Sequence, residues 1–295
     1  APQARGAGRS GMTMAAAAGT VGEALAAATD AIAAAGSDTP RLDAELLLAA
    51  ATGASRERFA IEPERPVSGP DGRAFGTMVR RRVAHEPVAY ILGRRGFRRI
   101  ELHTDRRALI PRPETELLVE VALELEPRRV LDVGTGSGAI ALAVADELPA
   151  AEVVAVEVSA AALALARENA AALGLGGRVE LRLGSVAAAT GRFDLVLANL
   201  PYVPDSERSS LPADVSDHEP DSALFAGPDG LAVIREVLAA LAAGGPGPEC
   251  DAVALEVGIG QADAVASLVR GAGFEDLALR TDLAGIDRVV VGRRR

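Results

Sequence analysis

The amino-acid sequence predicts an α/β protein in which a doubly wound sheet domain follows a small all-helical domain. Three observations support this prediction. Apolar residues recur at helical spacing before residue 88, and from residue 129 short apolar runs alternate with helical segments. The stretch between these regions is rich in arginine and proline and follows neither pattern. With 295 residues, the chain is long enough for two domains.

The N-terminal region divides into an unpatterned start and a helical part. Residues 1–13 are mainly Gly, Arg, Ala and Ser, so we expect a disordered tail or additional upstream sequence there. Residues 14–88 are expected to form the helical domain. Glu23 and Asp30 interrupt the Ala-rich stretch at its start, and this argues against a signal peptide.

Helical periodicity begins in that Ala-rich stretch. A first helix is predicted because one of its faces is apolar, formed by Val21, Leu25, Ala28 and Ile32. Gly36 is expected to end this helix, and Pro40 to begin the next, because proline is favoured in a first turn. Another helix is predicted over residues 73–84.

Residues 89–113 are predicted to form a hairpin and a linker between the domains. Two short strands are expected at 90–93 and 97–102, around a turn that contains arginine. Two prolines then stiffen an extended segment before a helix that begins at Glu114.

Seven arginines near this junction form a dense basic cluster: Arg80, Arg81, Arg82, Arg94, Arg95, Arg98 and Arg99. A solvated face is the expectation for such a cluster. A surface that binds a partner is the alternative.

Residues 114–295 are predicted to form the sheet domain. The predicted strands are 129–133, 153–157, 179–183, 194–198 and 252–256. The predicted helices are 139–147, 160–173, 231–243 and 261–272. Two further β-like segments, 277–281 and 288–291, have no helix between them, so the sheet is expected to end in an antiparallel pair.

The composition limits the possible functions. A net charge of −10 counts against broad nucleic-acid binding, which depends on neutralising phosphates. The single cysteine, Cys250, excludes an internal disulfide and a cysteine zinc cluster, and the three scattered histidines predict no metal site. No apolar run approaches the roughly 20 residues needed to span a bilayer. We therefore expect a cytoplasmic protein that binds neither membranes nor, directly, nucleic acid. We also expect a monomer, although nothing in the composition indicates the oligomeric state.

A glycine-rich loop follows the first predicted strand of the sheet domain. It reads Asp132-Val133-Gly134-Thr135-Gly136-Ser137-Gly138. Glycines let a backbone approach a ligand closely, and the start of the next helix offers free N–H groups to a negative group. Glu157 ends the second strand, where a carboxylate can accept hydrogen bonds from two ribose hydroxyls. A glycine-rich connection without any ligand is the alternative.

Two cofactors fit this loop. The spacing of Gly134, Gly136 and Ala139 satisfies the dinucleotide fingerprint, so a nicotinamide enzyme has to be considered. Asp132 and Gly138 complete the pattern Asp-x-Gly-x-Gly-x-Gly, which is the form seen in S-adenosylmethionine methyltransferases. The end of the fourth strand also lacks a His, Lys or Tyr-Lys arrangement for hydride transfer. We therefore predict S-adenosylmethionine as the cofactor.

The fourth predicted strand ends in a group of residues suited to grip a planar amine. Its apolar run is followed by Asn199, then by Pro201, which fixes a bend, and by Tyr202. The Asn199 side-chain oxygen and the backbone carbonyls of the bend can accept both hydrogens of an NH2 group. Tyr202 can stack on that group. An Asn-Pro turn that merely ends a strand is the alternative.

The chain resembles the protein N5-glutamine methyltransferases that modify peptide chain release factors. The resemblance extends over residues 19–293 and is carried by segments 41–47, 86–93, 110–116 (Ile-Pro-Arg-Pro-Glu-Thr-Glu) and 282–290, together with the loop and the turn described above. It implies a Rossmann-like class I methyltransferase domain. It also implies that the helical domain grips the release factor, and that the sheet domain methylates the glutamine of the Gly-Gly-Gln loop.

The resemblance assigns roles to individual residues. The glycine loop would hold the methionine part of the cofactor, through Gly134, Thr135, Gly136, Ser137 and Gly138. Glu157 would hold the ribose, and Ser185 and Val186 would lie near the adenine. Asn199 would lie beside both cofactor and substrate. Its side chain and the Leu200 carbonyl would hold the substrate amide, in a turn that is completed by Pro201 and Tyr202.

Two departures from the family pattern leave other functions open. The family turn is usually Asn-Pro-Pro-Tyr, whereas Leu200 occupies the second position here, and Asn-Leu-Pro-Tyr is also familiar from rRNA adenine dimethyltransferases. Ser185 stands where an aspartate near the adenine is expected, which predicts weaker cofactor binding. The alternatives are an adenine N6-methyltransferase acting on rRNA or DNA, and a cofactor-binding protein without activity. His218 is expected in a surface loop, without a catalytic role.

Overall fold

The computed structural model describes residues 19–294, and the chain divides into two compact units after Leu92. The tail that the sequence predicts for residues 1–13 lies outside the described residues. Each unit has its own buried apolar core. The predicted combination of a helical domain and a doubly wound α/β domain is confirmed.

The first unit is helical, as its apolar spacing predicts. Its described residues form five α-helices: α1 Val21–Ala34, α2 Pro40–Thr52, α3 Arg56–Ile61, α4 Gly69–Val83 and α5 Val88–Leu92. Helix α1 begins at a capping box, in which Thr20 Oγ1 accepts from the Glu23 amide and the Glu23 carboxylate accepts from the Thr20 amide. The buried faces form a core that includes Ile32, Leu47 and Phe75.

The prediction of a strand at residues 90–93 is wrong, because residues 88–92 form helix α5. These residues follow Pro87, whose carbonyl accepts the amides of Tyr90 and Ile91 at 3.0 Å and so closes a helical turn. Gly93, with a φ of 69°, follows the last residue of α5 and ends that helix. The antiparallel hairpin is made instead by β1 Arg94–Phe97 and β2 Ile100–His103.

Two arginines of the predicted basic cluster have structural roles rather than lying on a solvated face. Arg98 occupies the turn between β1 and β2 with a φ of 52°, and its guanidinium binds Glu147 at 2.8 and 3.0 Å. In the helical unit, Arg82 is only 8% exposed and its Nε donates to Asp43 at 2.7 Å. Both side chains therefore stabilise the unit in which they lie.

The described residues of the second unit, 93–294, form a seven-stranded sheet. Its strands are β3 Arg129–Val133, β4 Glu152–Glu157, β5 Val179–Leu183, β6 Arg192–Ala198, β7 Glu249–Glu256, β8 Asp276–Thr281 and β9 Asp287–Arg293. They are arranged in the order β5-β4-β3-β6-β7-β9-β8. Strands β3 to β7 are parallel, and β9 pairs antiparallel with both β7 and β8. The predicted antiparallel end of the sheet is therefore confirmed.

Helices cover both faces of this sheet. The α-helices of the described part of this unit are α6 Glu116–Leu125, α7 Ala139–Glu147, α8 Ala160–Ala172, α9 Ala213–Ser216, α10 Ala232–Leu241 and α11 Ala262–Gly271. The four-residue α9 has no buried residue, and the others pack on the sheet. Residues of α6 and α7 pack with Leu195 and Leu197 of β6, and residues of α10 and α11 pack with Val196 and Ala198 on the opposite face. This two-sided burial explains the continuous apolar run of β6. Within residues 19–294, no helix is long and apolar enough to cross a membrane.

Candidate active site

The glycine loop and the Asn-Leu-Pro-Tyr turn meet at one edge of the sheet. Strands β3 and β6 are parallel neighbours, and their last residues, Val133 and Ala198, are paired. The strand order reverses between these two strands, and ligands bind at such a switch point in open α/β sheets. A cavity of about 310 Å³ lies there, and most of the predicted site residues line it. These are Gly134, Thr135, Gly136, Ser137, Glu157, Ser185, Val186, Asn199, Leu200 and Pro201.

The glycine loop is held in a shape that only glycine adopts easily. Gly134 has a φ of 75° and Gly136 a φ of 58°. A Cβ added at Gly134 would lie 3.3 Å from Leu200 Cδ2, so the loop and the turn are in close contact. The buried Asp132 carboxylate supports the loop by accepting the Thr135 hydroxyl at 2.6 Å. Burial raises the pKa of Asp132 to about 7.

Gly138 lies at the other end of the loop, and it is not among the described residues that line the cavity. It precedes α7 with a φ of 88°. A Cβ at this position would lie 2.8 Å from Leu142 Cδ1, which is closer than real Cβ atoms approach. The structure therefore shows that Gly138 allows close packing at the start of α7.

Glu157 ends β4 with its carboxylate fixed by backbone amides. The side chain is 7% exposed, its Oε2 accepts from the Gly136 amide at 2.9 Å, and its Oε1 accepts from the Ser159 amide at 2.8 Å. Each carboxylate oxygen can accept a further hydrogen bond. The cavity thus contains a rigid acceptor beside the glycine loop.

The cavity has apolar walls beyond Glu157. The segment that follows β5 is adjacent, because the Gly184 amide donates to the Glu157 carbonyl at 2.9 Å. Four valines line this part, namely Val158, Val186, Val233 and Val237. Ser185 lines it as predicted, but so does Glu236 of α10, which has no ion pair with the described residues. Sequence reasoning did not select Glu236, because its place in the cavity depends on how α10 packs.

The Asn199 carboxamide is hydrogen-bonded through its nitrogen. Asn199 Nδ2 donates to Thr115 Oγ1 at 2.9 Å, and the Thr115 hydroxyl donates to Glu256 Oε2 at 2.6 Å. Asn199 Oδ1 accepts no hydrogen bond within residues 19–294, and the residue lines the cavity. Sequence reasoning did not select Thr115 or Glu256, although Thr115 lies in the segment 110–116 that carries the family resemblance.

Tyr202 is not among the described residues that line the cavity. Its hydroxyl lies 3.4 Å from Glu256 Oε1, and its carbonyl accepts from Gln261 Nε2 at 2.9 Å. Burial raises the pKa of the Tyr202 phenol, and the nearby Glu256 carboxylate adds to this effect. The structure therefore shows Tyr202 as an anchor of the turn and does not bring its ring to the cavity.

The segment that leads into α6 forms one wall of the cavity. Glu219 holds this wall, because its carboxylate accepts from the Ile110 amide at 3.2 Å and from the Arg112 guanidinium at 2.5 Å. Burial raises the pKa of Glu219, and the Arg112 charge opposes that shift. The neighbouring His218 contacts Arg106 at 2.9 Å and does not line the cavity. No cluster of side chains suited to a metal ion occurs in the described part of the chain.

Comparisons with known proteins agree with this architecture. Residues 23–93 match the family model of the PrmC N-terminal domain, and residues 113–213 match the methyltransferase small domain. The release factor glutamine methyltransferase of Caulobacter vibrioides is 41% identical over 283 residues, which cover 92% of this chain and 96% of the relative. That of Deinococcus radiodurans is 41% identical over 280 residues, which cover 92% and 97%.

Among solved structures, the fold is similar to that of the hMettl16 catalytic domain in complex with MAT2A 3'UTR hairpin 1. The TM-score is 0.53 at 12% identity, with 79% of this chain and 84% of that chain covered. The same domain in complex with hairpin 6 gives a TM-score of 0.52 at 14% identity, with 66% and 75% covered. At these identities the likeness shows the fold alone.

The doubly wound sheet, the glycine loop at its switch point and the methyltransferase family model define a class I methyltransferase. The relatives match nearly the whole chain at about two-fifths identity. The chain therefore belongs to the release factor glutamine methyltransferase family.

Proposed function

We propose that this protein transfers a methyl group from S-adenosylmethionine to the side-chain amide nitrogen of the glutamine in the Gly-Gly-Gln loop of peptide chain release factors. One observation carries the proposal. Asn199 lines the cavity beside the glycine loop, and its Nδ2 is bound to Thr115 while Oδ1 has no partner among the described residues. An unpaired acceptor next to a cofactor cavity suits a substrate that offers N–H groups.

The cavity fits the cofactor in three respects. Its volume of about 310 Å³ lies within the range of small-molecule sites. The turn at Gly134 and Gly136, with Thr135 and Ser137 beside it, allows close approach of the methionine part, and Gly138 helps to shape this loop. Glu157, whose carboxylate is held by the Gly136 and Ser159 amides, would accept the ribose hydroxyls. Ser185 and Val186 would lie beside the adenine. When bound, the cofactor supplies a methyl group on a sulfonium, which is a good electrophile.

The protein contributes mainly alignment to this reaction. An amide nitrogen is a poor nucleophile because its lone pair is delocalised, and alignment of two reactants can supply about 7–11 kcal/mol. We propose that Asn199 Oδ1 and the Leu200 carbonyl accept the two N–H groups of the glutamine amide, so that the nitrogen faces the methyl group. These fixed acceptors also polarise the amide. The bound cofactor would supply the methyl group and keep the electron pair on its sulfur, and the glutamine nitrogen would give up one proton to water.

An aspartate near the adenine is expected at position 185, where this chain has a serine. We propose that Glu236, which lines the cavity, accepts the hydrogen bond from the adenine amino group instead. We expect Glu236→Ala to weaken binding of S-adenosylhomocysteine by about 3- to 10-fold, the worth of one hydrogen bond at a partly exposed site. Isothermal titration calorimetry measures this effect. A matched ligand in which hydrogen replaces the adenine amino group should bind the original protein and the variant equally. An equal loss for both ligands would show that Glu236 does not contact the amino group.

Methyl transfer from labelled cofactor tests the proposed function. The purified protein should label a release factor on the glutamine of the Gly-Gly-Gln loop, as located by mass spectrometry. A release factor in which alanine replaces that glutamine should stay unlabelled. Ribosomal RNA and DNA serve as parallel substrates. Label on nucleic acid would support the adenine methyltransferase instead, and label on none of these substrates would contradict our proposal.

The remaining parts of the proposal concern organisation and partners. We propose residues 14–88 as the substrate-recognition domain, 89–113 as the hairpin and linker, and 114–295 as the catalytic domain. The match of residues 23–93 to the PrmC N-terminal domain supports the first of these. We further propose that the protein acts as a monomer in the cytoplasm, where release factors are found.

A further inference from the structure

The segment 110–116 contacts the residue proposed to bind the substrate amide. Its residues Pro113–Thr115 form a short 3-10 turn before α6, and Thr115 is 3% exposed. Thr115 Oγ1 lies 2.9 Å from Asn199 Nδ2 and 2.6 Å from Glu256 Oε2. A single buried hydroxyl therefore joins the ends of the neighbouring strands β6 and β7.

Glu256 determines which group donates and which accepts in this chain of hydrogen bonds. The side chain is 2% exposed and forms no ion pair with the described residues. An ionised carboxylate can only accept hydrogen bonds, so the Thr115 hydroxyl must donate to it. The lone pairs of the Thr115 oxygen then face Asn199 and need a donor. Among the described residues, the NH2 group of the Asn199 carboxamide is the donor to this oxygen, so the carboxamide oxygen faces the other way.

We propose that Thr115 and Glu256 are positioning residues, which keep the Asn199 carboxamide oxygen turned towards the methyl acceptor. The proposal rests on the proposed function, since it names what holds the amide-binding group. Without the Thr115 hydroxyl, the carboxamide can rotate by half a turn. It would then present its own NH2 group to the NH2 group of the substrate, and two donors cannot form a hydrogen bond.

Glu256 also holds the other end of the turn. Its Oε1 lies 3.4 Å from the Tyr202 hydroxyl, while its Oε2 reaches Asn199 through Thr115. One carboxylate therefore fixes both ends of the Asn-Leu-Pro-Tyr turn. Because Leu200 lacks the ring constraint of a proline, this turn depends more on such side-chain contacts for its stiffness.

The positioning role predicts a dependence on pH. Burial raises the pKa of Glu256 to about 7, the Glu114 carboxylate adds to this shift, and hydrogen bonds from Thr115 and Tyr202 and the charge of Arg288 oppose it. Only ionised Glu256 imposes the polarity described above. A carboxyl group ionises above its pKa, so kcat should rise as the pH rises through about 7. The Glu256→Gln variant should lose this inflection.

A hydroxyl deletion at Thr115 tests the proposal. We expect Thr115→Val to lower kcat for methyl transfer by about 10- to 100-fold, as a misaligned acceptor does. Binding of S-adenosylhomocysteine should stay close to that of the original protein, and the variant should remain folded with a lowered midpoint of thermal unfolding, because the buried Glu256 carboxylate loses a hydrogen bond. Thr115→Ser is the matched control, because it keeps the hydroxyl and should keep nearly full activity.

Testing Thr115→Val in the Asn199→Ala protein distinguishes a positioning role of Thr115 from a general contribution to the structure. A residue that acts through Asn199 has no further effect once that side chain is absent, so Thr115→Val should not lower kcat in the Asn199→Ala protein. Full activity of Thr115→Val, or an undiminished loss in the Asn199→Ala background, would overturn the proposal.

Failure of the positioning role can also be distinguished from failure of the proposed function. Failure of the original protein to label any release factor would count against the function and not against the positioning role. In that case the role is tested by NMR, in which the Asn199 side-chain amide protons should exchange slowly with solvent in the original protein and in Thr115→Ser. Equally slow exchange in Thr115→Val would overturn the positioning role.

Discussion

Replacement of Asn199 by alanine is expected to lower kcat for release factor methylation by about two to three orders of magnitude, the usual effect of removing one preorganised polar group from a reaction centre. The carboxamide is anchored through Nδ2 to Thr115, so its oxygen is available to the substrate. Binding of S-adenosylhomocysteine should change little. Steady-state methyl transfer and calorimetry on the same preparation measure both quantities.

Leu200→Pro provides a matched control in the same turn. The Leu200 amide donates no hydrogen bond within the described residues, so proline removes none, and the backbone carbonyl at this position is kept. We expect methyl transfer to persist in this variant, with some loss of stability because the buried leucine side chain is shortened. Comparable losses of turnover and of cofactor binding in Asn199→Ala would contradict a dedicated amide clamp.

The second large effect is expected at Glu157. Its carboxylate is held by the amides of Gly136 and Ser159, which leaves it ready to accept two ribose hydroxyls without further ordering. Hydrogen bonds to a charged group are worth about 1.5–3 kcal/mol each. Glu157→Ala should therefore weaken S-adenosylhomocysteine binding by about two orders of magnitude or more, since each 1.4 kcal/mol corresponds to about a factor of ten.

Glu152 is the matched control for this prediction, because it occupies the opposite end of β4. Its exposed carboxylate pairs with Arg129, away from the cavity. Glu152→Ala should leave cofactor affinity unchanged, since exposed ion pairs contribute about 0–1 kcal/mol even to stability. If Glu157→Ala bound the cofactor as tightly as Glu152→Ala did, the ribose would have to lie elsewhere.

Much of the fold could be predicted because local patterns and tertiary structure agree. The apolar runs at β3 and β6 are buried on both sides, and the helices between strands keep their expected positions. The prediction fails at residues 90–93, where a short apolar segment fits either a strand or a helical turn. Hydrogen bonds from this segment to the Pro87 carbonyl make it a helical turn. The apolar periodicity of four residues cannot reveal these bonds.

The site residues that could be predicted are those in motifs at the end of a single strand. Glu157 and Asn199 line the cavity because parallel strands deliver their carboxyl ends to one edge of the sheet. The partners of these residues were not predictable in the same way. Thr115 is 141 positions from Glu256, and no local pattern records that their side chains touch. Gly138 is the opposite case. Its place in the motif suggested contact with the ligand, but the structure explains the glycine by its close packing against Leu142.

The position of β9 between β7 and β8 makes the sheet depend on a strand that carries no predicted site residue. Within residues 19–294, β8 pairs with β9 alone, so disruption of β9 would detach two strands at once. It would also uncover β7, whose residues 252–255 are apolar and buried on both faces. An apolar strand with open backbone groups templates pairing between molecules. Mutations in β9 are therefore a route to aggregation, even though they lie outside the chemistry.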